Sequence, residues 1–388
     1  MTKIVAISDL HLGQTGADKL EQYSLLSTRS TPNLVTAFTS AVERFAAGDP
    51  VTLLVVGDFV DLSLAYTTDA LTDLRALIAA LKSNVALDEI ICVVGNHDHH
   101  MWSLHSENQR LLEPLRAGQV PCDDVSKALY HVTPSGGEPF TLLQPLIDAI
   151  DPKSATKISI AYPGYTRDLA DGALLYVTHG HLFDGLCADL SDLLADKLQG
   201  KPHDRVAATV NHPLIELIYW HVGEIGEGLG ADGLVEAIYT DLQKGKDAGV
   251  RALVETIVAR LLPHGVLWRV LGRLERRVIV DAIMHALDKA LLSPQLSTVT
   301  AADRFADVET TRAGLVAWLH ALELPIFNRP KGTIVLHGHT HVRDDYVIPE
   351  TNVRACNLGT WLVEPNHDAP KTGFMGIDGS TARWVDVS

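Results

Sequence analysis

The feature that most constrains this chain is a set of six short polar motifs, most of them placed where an apolar run stops. They are Asp9-Leu10-His11, Gly57-Asp58 with Asp61, Gly95-Asn96-His97-Asp98, Thr178-His179-Gly180-His181, Gly338-His339-Thr340-His341 and Asn357-Leu358-Gly359-Thr360. The runs Ile4 to Ile7, Val51 to Val56, Ile90 to Val94, Leu174 to Val177 and Thr333 to Leu336 read as buried strands. Thr31 and Pro32 mark a helix start, Leu34, Val35, Phe38, Val42 and Phe45 form its apolar face, and Gly48 ends it. A second helix carries Leu71, Leu74, Leu77, Ile78 and Leu81 on one face. Strands alternating with such helices predict an α/β fold with a partly parallel sheet. Carboxylates, an amide and imidazoles at the ends of parallel strands converge on the rim where open α/β sheets hold their ligands.

Two carboxylates, an Asn carbonyl and several imidazoles make a mixed oxygen and nitrogen donor set without thiolate. Such a set suits Mn, Fe, Zn or Co better than Ca or Mg, and it is too large for one tetrahedral ion. Two ions sharing a bridging carboxylate use all of it. Held roughly 3.5 to 4 Å apart, two ions bind a phosphoryl group, lower the pKa of a bridging water and supply hydroxide for in-line attack. Two divalent ions against two Asp and one hydroxide leave such a site net positive, so an acidic protein still attracts phosphate there.

The motifs, in this order, resemble those of the calcineurin-like metallophosphoesterases. The resemblance implies Asp9, His11, Asp58 and His341 as ligands of a first metal, and Asp58, Asn96, His179 and His339 as ligands of a second, with Asp58 bridging. It implies that His97 donates a proton to the leaving oxygen or stabilises the transition state, and that Asp61 orients His97. A neighbouring carboxylate raises an imidazole's pKa and fixes its tautomer, as a general acid near neutral pH requires. Asn357 and Gly359 match a loop closing the site. The implied cofactor is a pair of divalent transition-metal ions, with Mn favoured.

The implied fold is a two-sheet metallophosphoesterase sandwich flanked by helices, formed by residues 1–181 and 331–388. Residues 182–330 read as an inserted all-helical cap subdomain. Apolar stripes run there through Leu186, Leu190, Leu193 and Leu194, through Leu234, Val235, Ile238 and Leu242, through Leu253, Val254, Ile257, Val258 and Leu261, and through Leu315, Val316 and Leu319. Arg269, Arg273, Arg276 and Arg277 share a helix face opposite Leu267, Leu271, Leu274 and Val278. That face can meet an anionic membrane or an acidic ligand, or stay solvated and pair with the protein's own carboxylates. The tract Thr133 to Pro139 reads as a loop, Leu142 to Ile150 as a short helix, and the segments Val353 to Ala355, Phe374 to Ile377 and Ala382 to Val387 as closing strands of a second sheet.

Two further imidazoles stand near the motifs. His181 either approaches substrate beside the metals or hydrogen-bonds a backbone carbonyl. His99, with His100 and Trp102, follows the Gly-Asn-His-Asp motif and either touches substrate or packs.

The expected activity is metal-dependent hydrolysis of a small-molecule phosphomonoester or phosphodiester. The Ser/Thr protein phosphatases of the family usually carry Arg-Gly after the second Asp, where this chain has Leu62-Ser63. Hydrolases of UDP-2,3-diacylglucosamine look similar in a helical insertion after the fourth motif and a Gly-His-Thr-His near the end, although they typically have Arg where this chain has His97, and cyclic-nucleotide phosphodiesterases share Gly-Asn-His-Asp. A nucleotide-sugar or lipid pyrophosphatase and a cyclic-nucleotide phosphodiesterase are therefore alternatives within the class. An inactive phosphoesterase core serving as a binding scaffold is the alternative outside it, opposed by the completeness of the ligand positions. A net charge of -16 argues against nucleic acid as a partner, since such binding draws on Lys and Arg against phosphates.

With 46% hydrophobic and 21% charged residues, the 388-residue chain has the composition of a globular protein with ample core. Cys92, Cys122, Cys187 and Cys356 show no metal-type spacing and no disulfide framework. No signal-type apolar segment follows Met1, and no run of about 18 apolar residues is present, so a cytoplasmic setting is expected.

Overall fold

In the computed structural model the described residues are 2–14, 23–63, 65–120, 136–152, 155–183, 308–322, 324–363 and 369–387, together with 215, 251, 280 and 281. Their strands, in chain order, are β1 (Lys3–Ile7), β2 (Tyr23–Ser24), β3 (Val51–Val56), β4 (Leu87–Val93), β5 (Glu138–Pro139), β6 (Lys157–Ala161) and β7 (Tyr165–Asp168). There follow β8 (Leu174–Val177), β9 (Thr333–His337), β10 (Asp344–Val347), β11 (Val353–Asn357), β12 (Leu362–Val363), β13 (Gly373–Asp378) and β14 (Thr381–Asp386).

A seven-stranded sheet has the order β14-β13-β1-β3-β4-β6-β5, and a five-stranded sheet the order β10-β11-β9-β8-β7. β1, β3, β4 and β6 are parallel neighbours, as are β8, β9 and β11. The apolar residues of β1, β3 and β4 are buried on both faces, which explains why they are near-continuous apolar runs rather than alternating ones. One face of each sheet meets the other: Ile4, Ala6, Leu54, Val56, Ile91 and Val93 of the larger sheet join Leu175, Val177, Ile334 and Leu336 of the smaller in one buried cluster. The opposite faces carry helices. This is the mixed α/β, two-sheet architecture expected.

The helix α1 (Pro32–Ala46) lays Val35, Phe38, Val42 and Phe45 on the larger sheet, with Phe38 meeting Trp361 and Phe374 edge-on at 5.3 and 6.0 Å. Burying side chains of this size contributes about 1.5–3 kcal/mol each. Thr31 occupies the N-cap position, but its hydroxyl makes no cap bond and instead donates to the Leu25 carbonyl at 2.7 Å. The left-handed residue that ends α1 is Ala47, with Gly48 following it. The helix α2 (Thr67–Asn84) buries Leu74, Leu77, Ile78 and Leu81. The helix Gln144–Ile150 forms within the expected segment.

The chain end departs from the sequence reading. β11 joins the smaller sheet, but β13 and β14 close the larger one, with β13 antiparallel to β1. Alternation of apolar residues marks a strand but carries no information on which edge it will meet. Glu138 and Pro139, expected in a loop, form a two-residue strand on β6. Of the four stripes in 182–330, only Leu315, Val316 and Leu319 lie on a described helix, Val308–Ala321, whose Leu315, Trp318 and Leu319 are buried. Trp318 Nε1 donates to Tyr176 Oη on β8 at 2.9 Å, anchoring this helix to the smaller sheet. The other stripes and the Arg269 to Arg277 face lie outside the described residues. Cys92 and Cys356 are buried, free thiols. Among the described residues no helix is long and apolar enough to cross a membrane.

Candidate metal centre

The polar motifs follow the C-terminal ends of β1, β3, β4, β8, β9 and β11 and meet at one rim. Five of the seven non-glycine residues with positive φ among those described are Asp9, His11, Asp58, His339 and His341. Backbone of this kind is unfavourable for such residues and persists only where surrounding contacts over-determine it. Those contacts are present. The Leu10 and His11 amides donate to the Asp58 carbonyl at 2.9 and 3.0 Å, Asp61 N donates to the Leu12 carbonyl at 2.9 Å, and Gly338 N to the His179 carbonyl at 2.7 Å. Side chains cross-link the same turns: His97 N donates to Asp58 Oδ1 at 2.9 Å and His339 N to Asp9 Oδ2 at 3.1 Å.

Gly57 shows why no side chain is tolerated beside this rim. Its φ is +81°, and a Cβ built on it would fall on the imidazole of His179.

The donor atoms converge. His179 Nε2 lies 3.1 Å from both Asp58 Oδ2 and Asn96 Oδ1. His341 Nε2 lies 3.4 Å from Asp9 Oδ1, and His11 Nε2 3.7 Å from Asp58 Oδ2. Three overlapping groups bring their ligand-type atoms within 4.8 Å of one another: Asp9, His11 and His341; His11, Asp58 and His97; and Asp9, Asp58 and His179. His339 enters beside them, its ring 5.3 Å from that of His179.

The far side of each imidazole decides whether these residues suit a cation. His179 Nδ1 donates to the Val56 carbonyl at 2.9 Å, which turns the Nε2 lone pair toward two oxygen acceptors. His11 Nδ1 donates to Asp61 Oδ2 at 2.9 Å, and its Nε2 is buried without a hydrogen-bond partner. An imidazole oriented by a carbonyl or carboxylate, with its other nitrogen left for a cation, is the usual form of a metal-ligating histidine. The residues therefore fit divalent metal.

Without a cation, protons occupy the same positions. Burial opposes charge on His179, but Asp58 and Asp9 outweigh it and push its pKa up to about 9. Burial likewise opposes charge on His97, and Asp61 with Asp58 pushes it up to about 9. Asp58, although fully buried, is held well below the usual carboxylate range by His179 and His97.

His97 and Asp61, expected as acid and orienting base, are in contact: Nδ1 lies 3.0 Å from Asp61 Oδ2. The two further imidazoles both pack against Tyr162. His181 is fully buried, neither ring nitrogen has a hydrogen-bond partner among the described residues, and it stacks on Tyr162 with ring centroids 6.1 Å apart. Among the described residues it bonds no backbone carbonyl, and burial, aided by the neighbouring histidines, holds its pKa well below the ordinary histidine range. His99 opens the helix His99–Glu107 and packs edge-on against Tyr162 at 5.1 Å.

Residues to which the sequence reading gave no role support the rim. Ser8 Oγ bonds Asp9 Oδ2 and the Val56 carbonyl, while Ser63 and Gln14 bond Asp61. Asp98 accepts from Gly95 N at 2.7 Å and Phe59 N at 2.8 Å, tying the loop after β4 to the loop after β3. Burial and Asp58 push its pKa up to about 7. Its place directly after His97 was the only signal available for it.

A sequence profile described as calcineurin-like phosphoesterase matches residues 2–223. The chain belongs to that family. Members of the family typically depend on two metal ions, and this phosphoesterase carries the Asp and His groups to hold metal at its rim. It is a metal-dependent phosphoesterase. Among solved structures, a phosphopantetheinyl hydrolase from Mycobacterium tuberculosis is similar, with 14% identity, 95% of this chain and 96% of that chain covered, and a TM-score of 0.25. No curated relative matches the phosphoesterase.

Proposed function

We propose that this phosphoesterase is a dinuclear hydrolase of small-molecule phosphomonoesters or phosphodiesters. The observation that carries this reading is the orientation of His179, whose Nδ1 is bound to the Val56 carbonyl while Nε2 faces Asp58 and Asn96 oxygens at 3.1 Å. Acceptors aimed at one another in a buried site call for a cation. Asp9, His11, Asp58 and His341 would hold one ion, and Asp58, Asn96, His179 and His339 the other. When bound, the two ions, preferably Mn, supply Lewis acidity toward phosphoryl oxygens and lower the pKa of the attacking water.

The remaining steps belong to the protein. Asp61 holds the Nδ1 side of His97, so Nε2 is the atom that delivers a proton to the departing ester oxygen. Asp61 beside Nδ1 favours the protonated ring, opposing its desolvation. The catalytic core in this reading comprises residues 1–181 and 331–388, acting in the cytoplasm.

The test is metal content together with hydrolysis of an aryl phosphate monoester and diester in added Mn, for wild type, Asp58→Ala and His97→Ala. About two metals per chain, with turnover lost in both variants and metal kept in His97→Ala, support the assigned roles, and the diester-to-monoester ratio then narrows the substrate class. A wild type that binds no metal, or is no faster than Asp58→Ala, refutes them.

A further inference from the structure

We propose that Ser63 is a positioning residue for His97: its hydroxyl accepts the His97 Nδ1–H and donates to Asp61, allowing one carboxylate to serve two imidazoles. Ser63 Oγ lies 2.6 Å from His97 Nδ1 and 2.9 Å from Asp61 Oδ1. The direction of both bonds follows from Asp61. Its oxygens face the His11 Nδ1 at 2.9 Å and the Ser63 backbone N–H at 3.0 Å, so the carboxylate is placed as an acceptor. The single Ser63 proton therefore goes to Asp61 Oδ1, and Ser63 Oγ receives the proton of His97 Nδ1.

The arrangement answers a crowding problem. Asp61 Oδ2 is approached by His11 Nδ1 at 2.9 Å, His97 Nδ1 at 3.0 Å and Gln14 Nε2 at 3.1 Å, which is three donors for two lone pairs. Ser63 takes the shorter bond from His97 and passes the interaction to the other carboxylate oxygen. It is itself rigid: buried, with its backbone N–H on Asp61 Oδ1 at 3.0 Å in a local turn. The adjoining Leu62 N–H donates to the His97 carbonyl at 3.2 Å, so both the backbone and the ring of His97 are tied to residues 62–63. Among the described residues the hydrogen bonds of Ser63 run to Asp61 and His97 and to none of the proposed metal ligands. Its loss should affect proton delivery without emptying the site.

The kinetic part of the test rests on the phosphoesterase reading, and the spectroscopic part does not. Full-length, Mn-loaded wild type, Ser63→Ala and Ser63→Thr are compared on a p-nitrophenyl ester and an alkyl ester of the same phosphate. Proton delivery matters for the alkyl leaving group and hardly for p-nitrophenoxide. Ser63→Ala should lower kcat about tenfold on the alkyl ester and less than about twofold on the aryl ester, a fraction of what a complete general acid contributes. KM and metal content should hold, and Ser63→Thr should restore the rate. In parallel, the His97 Nδ1–H proton resonance of histidine-labelled protein loaded with diamagnetic Zn instead of Mn, assigned by its absence in His97→Gln, should broaden or vanish in Ser63→Ala and return in Ser63→Thr. An unchanged resonance in Ser63→Ala, equal losses on both esters, or reduced metal content overturns the proposal. If wild type cleaves neither ester, the proposed activity on small-molecule monoesters and diesters fails, and the resonance alone decides the role of Ser63.

Discussion

Asp61 Oδ2 lies 2.9 Å from Nδ1 of His11, although sequence reasoning assigned Asp61 only to His97. One buried carboxylate thus orients a residue of the metal set and the residue proposed to protonate the leaving group. Asp61→Asn should damage both. Turnover should fall by about a hundredfold or more, the lower end of general acid catalysis, and metal affinity by about tenfold. Metal titration beside steady-state kinetics checks this, and unchanged metal affinity would remove His11 from the reach of Asp61.

Asp58 is the more central of the two rim carboxylates, approached by His179 at 3.1 Å, by His11 at 3.7 Å and by the His97 amide at 2.9 Å. Asp58→Asn keeps the shape and an acceptor oxygen but removes the charge. Turnover should drop at least about a hundredfold with bound metal, beyond the effect of losing an outer partner, while far-ultraviolet circular dichroism stays that of wild type. Retained metal with lost turnover would argue against Asp58 as a shared ligand.

The site's membership was legible because each donor stands directly after an apolar run, and parallel strands carry such positions to one rim. Its internal wiring was not. That Asp61 serves His11 depends on β1 and β3 being paired with Ile7 opposite Val55, a register no motif states. Ser63 showed only as a departure from a related pattern, and the clamp made by Asp98 arises from two backbone amides that no side-chain pattern encodes. The same limit explains β13: its apolar residues announced a strand, but its pairing with β1 is set by which edge of the sheet remained open.

Gly57→Ala tests the close approach of β3 to His179. The new methyl meets the imidazole, and the φ of +81° is unfavourable for alanine. Left-handed strain and overpacking together should cost about 2–4 kcal/mol. A lowered urea midpoint and lost metal binding should accompany one another, because His179 is the residue displaced. A variant that keeps wild-type stability would mean that the turn relaxes more freely than its contacts allow.

Tyr176→Phe probes the seat of the helix Val308–Ala321. It leaves Trp318 Nε1–H buried without its acceptor, which should cost about 1–2 kcal/mol in denaturant unfolding. Because Tyr176 packs with Leu315, Trp318 and Leu319 and is not one of the ligand-type residues, turnover at saturating metal should be unchanged. A loss of activity equal to that of the rim variants would show that the outer face is coupled to the site.

The metal-free protein should lose stability as pH rises, whereas the metal-loaded protein should gain it. His97 and His179 have folded pKa values of about 9, above the ordinary value of 6.5, so their contribution is complete below pH 6.5 and disappears as pH passes through 9. Asp98, raised from 3.8 to about 7, has the same sign and completes its loss by about pH 7. In the acid range Asp58 acts oppositely: its depressed pKa makes its contribution present above 3.8 and lost on further acidification. Bound metal reverses the alkaline trend, because it requires the imidazoles deprotonated and competes with protons for them. Thermal melts from pH 6.5 to 9, with chelator and with saturating Mn, should therefore diverge as pH increases. Parallel curves would show that the imidazoles at this rim are not where the metal binds.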